Sequence, residues 1–450
     1  MVTQGALLEE RTMSIDITLW GVRGSYAKPY DQKDLQEKNI DLIQAIRNTP
    51  TAYALFQQNA PVEEVLKAID SKRTHTYGGH TSCYEMIVNE RKLIFDVGLG
   101  GIKWGDYEIA NGANGKTKPI TADILMTHTH LDHNEAAGFI KPWFQKGHKF
   151  TILGIANANE TVREAQRDYQ DAKSGTATIV QSKGQEKIEA IRSVRPELAA
   201  AIEAIVREAT AAGRPTSNTV EEVMIALSDK GLHPITWATR QGFGAEIQTI
   251  DLPLHPEGDI LYIKDRYDTA GFRVGYQMSN HPDGCLSYRV ETDASVGIYM
   301  GDGEHGPTLL SSRHPLIQKG VKQDRQPLMD PHFIKFIMGK DEAKKRKVII
   351  ADAHWTQKEY DTMPWIHGWG HSSAEQFLFT AAMAAKHAGN MPDNKIHVVL
   401  SHHDPNKSDR TLDKIAEELE QHVATKKLNG HPLDHYVTWE LAREGRKINI

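Results

Sequence analysis

Short apolar runs rich in β-branched and aromatic residues recur along the chain. Ile15 to Trp20, Tyr84 to Val88, Lys92 to Phe95 and Ala122 to Met126 are four such runs near the start. Others fall at 247–252, 259–264, 271–277, 286–291 and 296–300, and Val348 to Ala351 and His397 to Leu400 follow. Their length and content predict strands. Between the first and second runs the period changes to that of a helix. Leu35, Ile40, Leu42, Ile43 and Ile46 fall on it, and Pro61 opens a second helical stretch through Val65 and Leu66. Helices are also predicted over 373–388 and 410–426, each behind a buried strand.

Residues 158–232 are richer in Ala, Glu, Lys and Arg. Leu198, Ile202, Ile205, Val206 and Ala209 form one apolar stripe after Pro196, and Thr219 with Glu222 has the spacing of a capping box. The segment reads as a mostly helical insertion, either a lid or a dimerisation element. Strands flanked by helices, in two similar halves, predict an α/β chain folded as an αββα sandwich. The expected organisation is one domain over 14–450, with helical insertions at about 31–75 and 158–245 and an N-terminal extension over 1–13.

Composition narrows this picture only slightly. At 450 residues, with 39% hydrophobic and 25% charged content, the chain is long enough for one large globular domain or two ordinary ones. A formal charge of −6 argues against a nucleic-acid groove. Cys83 and Cys285 cannot form a disulfide framework and read as small core residues. With no apolar leader and no membrane-length segment, the expected setting is the cytoplasm. The 22 histidines are an unusually large number for this length.

Four metal-binding side chains crowd the run Thr127-His128-Thr129-His130-Leu131-Asp132-His133. Neutral imidazole and carboxylate oxygen both suit a divalent ion such as zinc. The cluster begins where the strand ending at Met126 stops, so a tight turn there can aim His128 and His130 at one ion. Asp132 and His133 would then reach a second. Further candidates stand at strand ends downstream: His281 before the 286–291 run, Asp302 after 296–300, and His402 or His403 after His397 to Leu400. Spacing does not choose between the last two.

Several stretches together resemble the metallo-β-lactamase fold superfamily, in its phosphodiesterase branch. They are Trp20-Gly21-Val22-Arg23-Gly24-Ser25, Tyr77-Gly78-Gly79-His80-Thr81-Ser82-Cys83 and Ile94-Phe95-Asp96-Val97-Gly98. Asn280-His281-Pro282 through Tyr288-Arg289 and Asp302 continue the series. Asp352-Ala353, Gly368-Trp369-Gly370-His371-Ser372, Ser401-His402-His403-Asp404-Pro405 and Ala442-Arg443-Glu444-Gly445 complete it. Cyclic phosphodiesterases of phosphonate breakdown and the tRNA 3′-processing ribonuclease Z group are the relatives these motifs resemble most. The resemblance covers 14–30, 76–155 and about 246–450. His80 stands where such relatives generally have Asn, which is expected to alter a loop near the site.

The resemblance implies two divalent ions per chain, zinc in the first place, with manganese or iron also tolerated by such ligands. His128, His130 and His281 would hold the first ion, Asp132, His133 and His402 the second, and Asp302 would bridge them. Asp96 would brace the histidine loop from behind. The oxygen-reducing di-iron branch has Glu where this chain has His130, so redox chemistry is not implied. A metal-bridged hydroxide would attack a small cyclic or nucleotide-like phosphodiester. His371 would protonate the leaving group and, with Asp132, counts among the catalytic residues. Asp352 would orient His371 or a ligand.

Trp355, Trp365 and Trp369 flank His371 and offer either a wall for a base or sugar, or core packing. Arg313, His314 and Lys319 read as a solvated loop rather than a phosphate site. A lactone or ester hydrolase and a tRNA-processing nuclease are the competing activities. The expected partners are the small diester and a second copy of the chain in a homodimer, with no membrane.

Overall fold

The computed structural model describes residues 13–70, 74–111, 118–155, 244–253, 260–264, 266–281, 284–305, 331–339, 345–389 and 395–450. The stripe and capping box expected within 158–232, most of the N-terminal extension, and Arg313, His314 and Lys319 lie outside the described residues.

In chain order the first strands are β1 (Ile15–Gly21), β2 (Cys83–Val88), β3 (Arg91–Phe95), β4 (Thr121–Leu125), β5 (Lys149–Ile155) and β6 (Glu246–Leu252). They are followed by β7 (Leu261–Tyr262), β8 (Arg273–Ser279), β9 (Cys285–Glu291), β10 (Ser295–Tyr299), β11 (Arg346–Asp352) and β12 (Ile396–Ser401). The last four are β13 (Lys427–Leu428), β14 (His431–Pro432), β15 (Val437–Leu441) and β16 (Lys447–Asn449).

Two sheets of seven strands result, in the orders β16-β1-β2-β3-β4-β5-β6 and β15-β12-β11-β10-β9-β8-β7; β13 and β14 pair separately. Each sheet is antiparallel on one side and parallel on the other, the parallel half running β3 to β6 in the first and β10, β11, β12, β15 in the second.

Alternation along the strands explains the layering. Leu93 and Phe95 of β3 point between the sheets, as do Val348 and Ile350 of β11 and Val399 of β12. Their neighbours Ile94, Ile349, Val398 and Leu400 point to the outer faces. Sheets buried on both faces need helices outside, which is why these runs are continuously apolar. On the first sheet's outer face Trp104, Ala136, Ala137 and Trp143 cover Ile94, Ile124 and Ile152. On the second, Phe377, Leu378, Ala381 and Ala385, with Leu412 and Leu419, cover Ile298, Ile349 and Val398. The architecture is therefore the expected αββα sandwich.

The helices that matter to the site are α1 (Gln32–Asn48), α2 (Pro50–Gln57), α3 (Val62–Lys67), α4 (Gly100–Ala110), α5 (Leu131–Asn134), α6 (Pro331–Met338), α7 (Gln357–Thr362), α8 (Ala374–His387) and α9 (Asp409–Thr425). Ser373 caps α8 by accepting from the Gln376 amide, and Ser408 caps α9.

Three expectations need correction. The 259–264 run yields only a two-residue strand, and the strand expected from 271 starts at Arg273, because Gly271 is left-handed (φ 79) at the turn before it. The helix over the Leu35 to Ile46 stripe forms, yet none of its residues is fully buried, and Leu35, Ile40 and Ile43 are exposed. Only Leu42, Ala45 and Ile46 pack, against a small separate core of Ala52, Val65 and Ile69. Three short helices enclose too little volume to bury a full stripe.

Cys83 and Cys285 are both free and buried, and burial pushes their thiols up, so both are inert core residues.

Candidate metal centre

The seven ligand candidates, with Asp96 and Asp352, sit at C-terminal ends of strands or in the turns just beyond them, and His371 lies in the loop before α8. After β4 the chain turns at Thr127, whose amide donates to Asp96 Oδ1 at 2.7 Å and whose hydroxyl donates to Asp96 Oδ2 at 2.8 Å. The turn closes into the short helix α5, held by Asn134 Nδ2 donating to Thr129 O at 2.8 Å. This brings His128 and His130 side by side, with ring centroids 4.5 Å apart, and sets His281 from the β8–β9 turn 4.7 and 4.8 Å from them. These three residues can offer nitrogens that all lie within 4.8 Å of one another.

Asp132, His133, Asp302 and His402 form a second group meeting the same limit, all four buried. His402 Nε2 lies 3.2 Å from both Asp132 Oδ2 and Asp302 Oδ1, and His133 Nε2 lies 3.3 Å from Asp302 Oδ2. Asp302 Oδ2 is also 3.7 Å from His128 Nε2, so this carboxylate stands between the two groups. The Ser25 amide donates to Asp132 Oδ2 at 2.7 Å, which explains the position of the Gly24-Ser25 turn. All seven residues expected as ligands are thus brought together.

His402, and not His403, joins the cluster. A left-handed backbone at His402 (φ 58) swings its ring inward. His403 points away, 3.0 Å from Ala442 O and edge-on to Tyr77, and burial lowers its pKa to about 3.

The donor set fits divalent cations. Nε2 of His128, Nε2 of His133 and Oδ1 of Asp302 are buried and make no hydrogen bond among the described residues. Buried polar atoms without partners are rare unless a ligand claims them. The electrostatics agree. Burial and the neighbouring imidazoles hold His128 well below its ordinary value. His133 goes the other way: burial opposes its charge, but Asp302, Asp132 and Asp96 together raise it. Asp302 is held low against the pull of burial by His402, His133 and His128. The buried carboxylates draw positive charge to this place, and cations would supply it.

His371 lies beside this cluster rather than in it, with its ring 5.0 Å from His402 and 5.9 Å from His281. Its Nδ1 is 2.8 Å from Asp352 Oδ2. Burial lowers its pKa, but the Asp352 carboxylate prevails, with help from Asp302 and Asp132, and the group is raised to about 9. Asp352, at the end of β11, also accepts from the amides of His354 at 3.0 Å and Gly303 at 3.4 Å.

His354 and Glu304 escape the sequence reading. His354 stacks on His371 at 4.9 Å, and its Nδ1 lies 3.1 Å from His402 O. It could form a third ligand group with His371 and His402. His371 is held by its bond to Asp352 and by the stacking on His354. The Asp352-x-His354 spacing at a strand end was the only available signal for His354. Glu304 is buried two residues past Asp302 and accepts from the Gly368 amide at 2.8 Å.

The other expected residues fall as follows. Asp96 Oδ2 lies 2.7 Å from His133 Nδ1 and also accepts from Tyr299 at 2.9 Å. His80, before β2, meets Glu444 in the β15–β16 turn, its amide 2.7 Å from Oε1 and its Nδ1 3.1 Å from Oε2, while its carbonyl accepts from the Val22 and Arg23 amides just past β1. Trp365 and Trp369 are 63% and 54% exposed, which removes core packing as their role; Trp355 is half-buried beneath Lys407.

No family model matches the chain, and no curated protein matches it. Three solved structures are similar to it over nearly its whole length. The metallo-β-lactamase fold protein YhfI from Bacillus subtilis is 12% identical, with 97% of this chain and 100% of that chain covered and a TM-score of 0.42. Human tRNase Z, short form, is 12% identical, with 96% and 98% covered and a TM-score of 0.39. A diphosphatase of the PhnP family is 10% identical, with 97% and 98% covered and a TM-score of 0.39. Among the described residues no helix is long and apolar enough to cross a membrane.

Proposed function

We propose that this protein is a metal-dependent hydrolase holding two divalent ions per chain, and that it cleaves a small cyclic or nucleotide-like phosphodiester. The observation that carries this reading is the Asp352–His371 pair set against two adjoining groups of side chains that could hold a metal ion. His128, His130 and His281 would hold one ion, and Asp132, His133 and His402 the other, with Asp302 between them. Bound zinc, manganese or iron would supply Lewis acidity, activating water near neutral pH and offsetting charge on the phosphoryl oxygens.

The chain's own residues do the rest. Asp352 Oδ2 accepts a hydrogen bond from His371 Nδ1–H, which leaves Nε2 as the atom that gives a proton to the departing ester oxygen. The raised pKa keeps this imidazole protonated at neutral pH. Positive charge brought into the cleft would pull that value back down, towards the range where a general acid works best. Trp365 and Trp369 leave indole faces open on the same loop for a base or sugar. Asp132 acts twice, as a ligand and as the carboxylate that fixes the Ser25 turn at the cleft wall.

A lactone or ester hydrolase would use the same ions but has less need of an acid for its leaving group. A tRNA-processing nuclease would need a basic face that the charge of −6 does not suggest. The test is a screen of the metal-loaded protein on cyclic mononucleotides, cyclic ribose phosphates, bis-p-nitrophenyl phosphate and lactones. Turnover of lactones with none of the diesters would overturn the reading. Cytoplasmic location and a homodimer belong to the same proposal; light scattering that returns a monomer's mass removes the dimer.

A further inference from the structure

We propose that Glu304 is a positioning residue, one that holds the His371 loop so that Nε2 stays aimed at the leaving group. This rests on the reading of His371 as the acid of a diesterase. Glu304 is only 3% exposed, and its carboxylate makes no bond to a ligand residue or to His371 itself. Instead it accepts from the Gly368 amide at 2.8 and 3.0 Å, from the Gly370 amide at 3.3 Å, and from the Tyr360 hydroxyl.

Gly368 and Gly370 are both left-handed (φ 82 and 88) and flank Trp369, so this turn sends Trp369 outward and His371 inward. A left-handed pair of this kind has little intrinsic preference for one shape. Bonds from a buried charged acceptor are strong enough to select one.

The same short segment is tied on its other side. The Glu304 amide donates to Asn280 O at 2.9 Å and Asn280 Nδ2 donates to Glu304 O at 3.1 Å, beside His281. Ser372 Oγ donates to Gly303 O at 2.6 Å and accepts from the His305 amide at 2.8 Å. Glu304 therefore sits where the turn carrying His281, the turn carrying Asp302 and the loop carrying His371 meet.

The two glycine amides can only donate, whereas the Tyr360 hydroxyl can donate or accept. Glutamine fills the same volume, and its oxygen can keep both amides while its NH₂ faces that hydroxyl. Glu304→Ala, which leaves both amides without this acceptor, is therefore the informative change, with Glu304→Gln as the conservative control.

Both variants should bind metal like the parent. In Glu304→Ala, hydrogen exchange at the Gly368 and Gly370 amides should quicken by about tenfold or more because their acceptor is lost, while Glu304→Gln stays near the parent. For a diester with an alkoxide leaving group, kcat of Glu304→Ala should fall by about 10- to 100-fold, with KM changed less than about twofold. A p-nitrophenyl diester, which needs little protonation, should lose less than about threefold in kcat.

Unchanged exchange in the folded Glu304→Ala protein overturns the proposal. Faster exchange with equal losses on both diesters also overturns it, because Glu304 would then be structural only. Parent protein that cleaves neither diester overturns the diesterase reading, and the proposal falls with it; that control separates the two failures.

Discussion

His133 Nδ1 and Asp96 Oδ2 are 2.7 Å apart, in full burial, and that contact leaves Nε2 as the ring nitrogen that faces Asp132 and Asp302. Asp96 stands just past β3 in a left-handed conformation (φ 57), from which it also takes two bonds from Thr127 and one from Tyr299. The first sheet, the histidine turn and the second sheet thus share one carboxylate. Asn tolerates a left-handed backbone, so Asp96→Asn should keep the turn while placing an amide donor against other donors. Metal affinity is expected to fall by about 10- to 100-fold. Competition with a chelator would measure it, and an affinity within twofold of the parent would show that Asp96 does not brace the ligand.

Asp302 stands between the two ligand groups, so its loss should be felt in both. Elemental analysis of Asp302→Ala should find little of either ion. His281→Ala, which touches one group only, should retain the other. Parent protein with no bound transition metal even after reconstitution would sink the two-ion reading altogether.

His371 separates binding from chemistry. His371→Ala should retain its metal and lose about 10²- to 10⁴-fold in turnover of a diester with an alkoxide leaving group. The loss with p-nitrophenolate should be much smaller. Equal losses for the two substrates would make His371 a structural residue.

How much of this centre could be read from the chain depends on how local each interaction is. His128, His130, Asp132 and His133 are legible because one turn gathers them, and four metal-binding side chains so close together have few other uses. His281, Asp302 and His402 are legible only as strand-end residues in a chain that already carries that turn. His402 could not be told from His403 because the choice rests on one backbone angle. Glu304 was invisible, since its partners lie 64 and 66 residues away and form no pattern in sequence. In the fold, period alone found the helix over 32–48 but not its exposure, which depends on how little its neighbours enclose.

Gly24 illustrates the same limit and yields a sharp expectation. A Cβ there would lie 2.2 Å from His402 Nδ1, far inside any tolerable contact. Gly24→Ala must therefore move the His402 ring or the turn that carries Ser25, and both serve the second ligand group. The variant should fold and hold about half the parent's metal, lost from the group containing Asp132, His133 and His402. Full metal content in the variant would mean that His402 is not held where the structure places it.

The last expectation concerns acid stability. His305 is buried with its ring edge-on to Phe333 at 4.4 Å and Phe377 at 5.0 Å, and burial pushes its pKa down to about 3. Unfolding returns it to an ordinary value of about 6.5. Between those values the unfolded chain binds a proton that the folded chain does not. Stability from this group is therefore complete above about pH 6.5 and is lost progressively as pH falls towards 3. Between pH 7.5 and 5.5 the loss should be about 1.4 kcal/mol for one such site. Other buried imidazoles, His403 among them, titrate alike in parent and variant, so they cancel in a difference. Urea unfolding of the parent and of His305→Leu at the two pH values gives that difference. The variant should be less acid-sensitive by about 1.4 kcal/mol. Identical pH dependence in the two proteins would mean that His305 is not buried as a neutral imidazole.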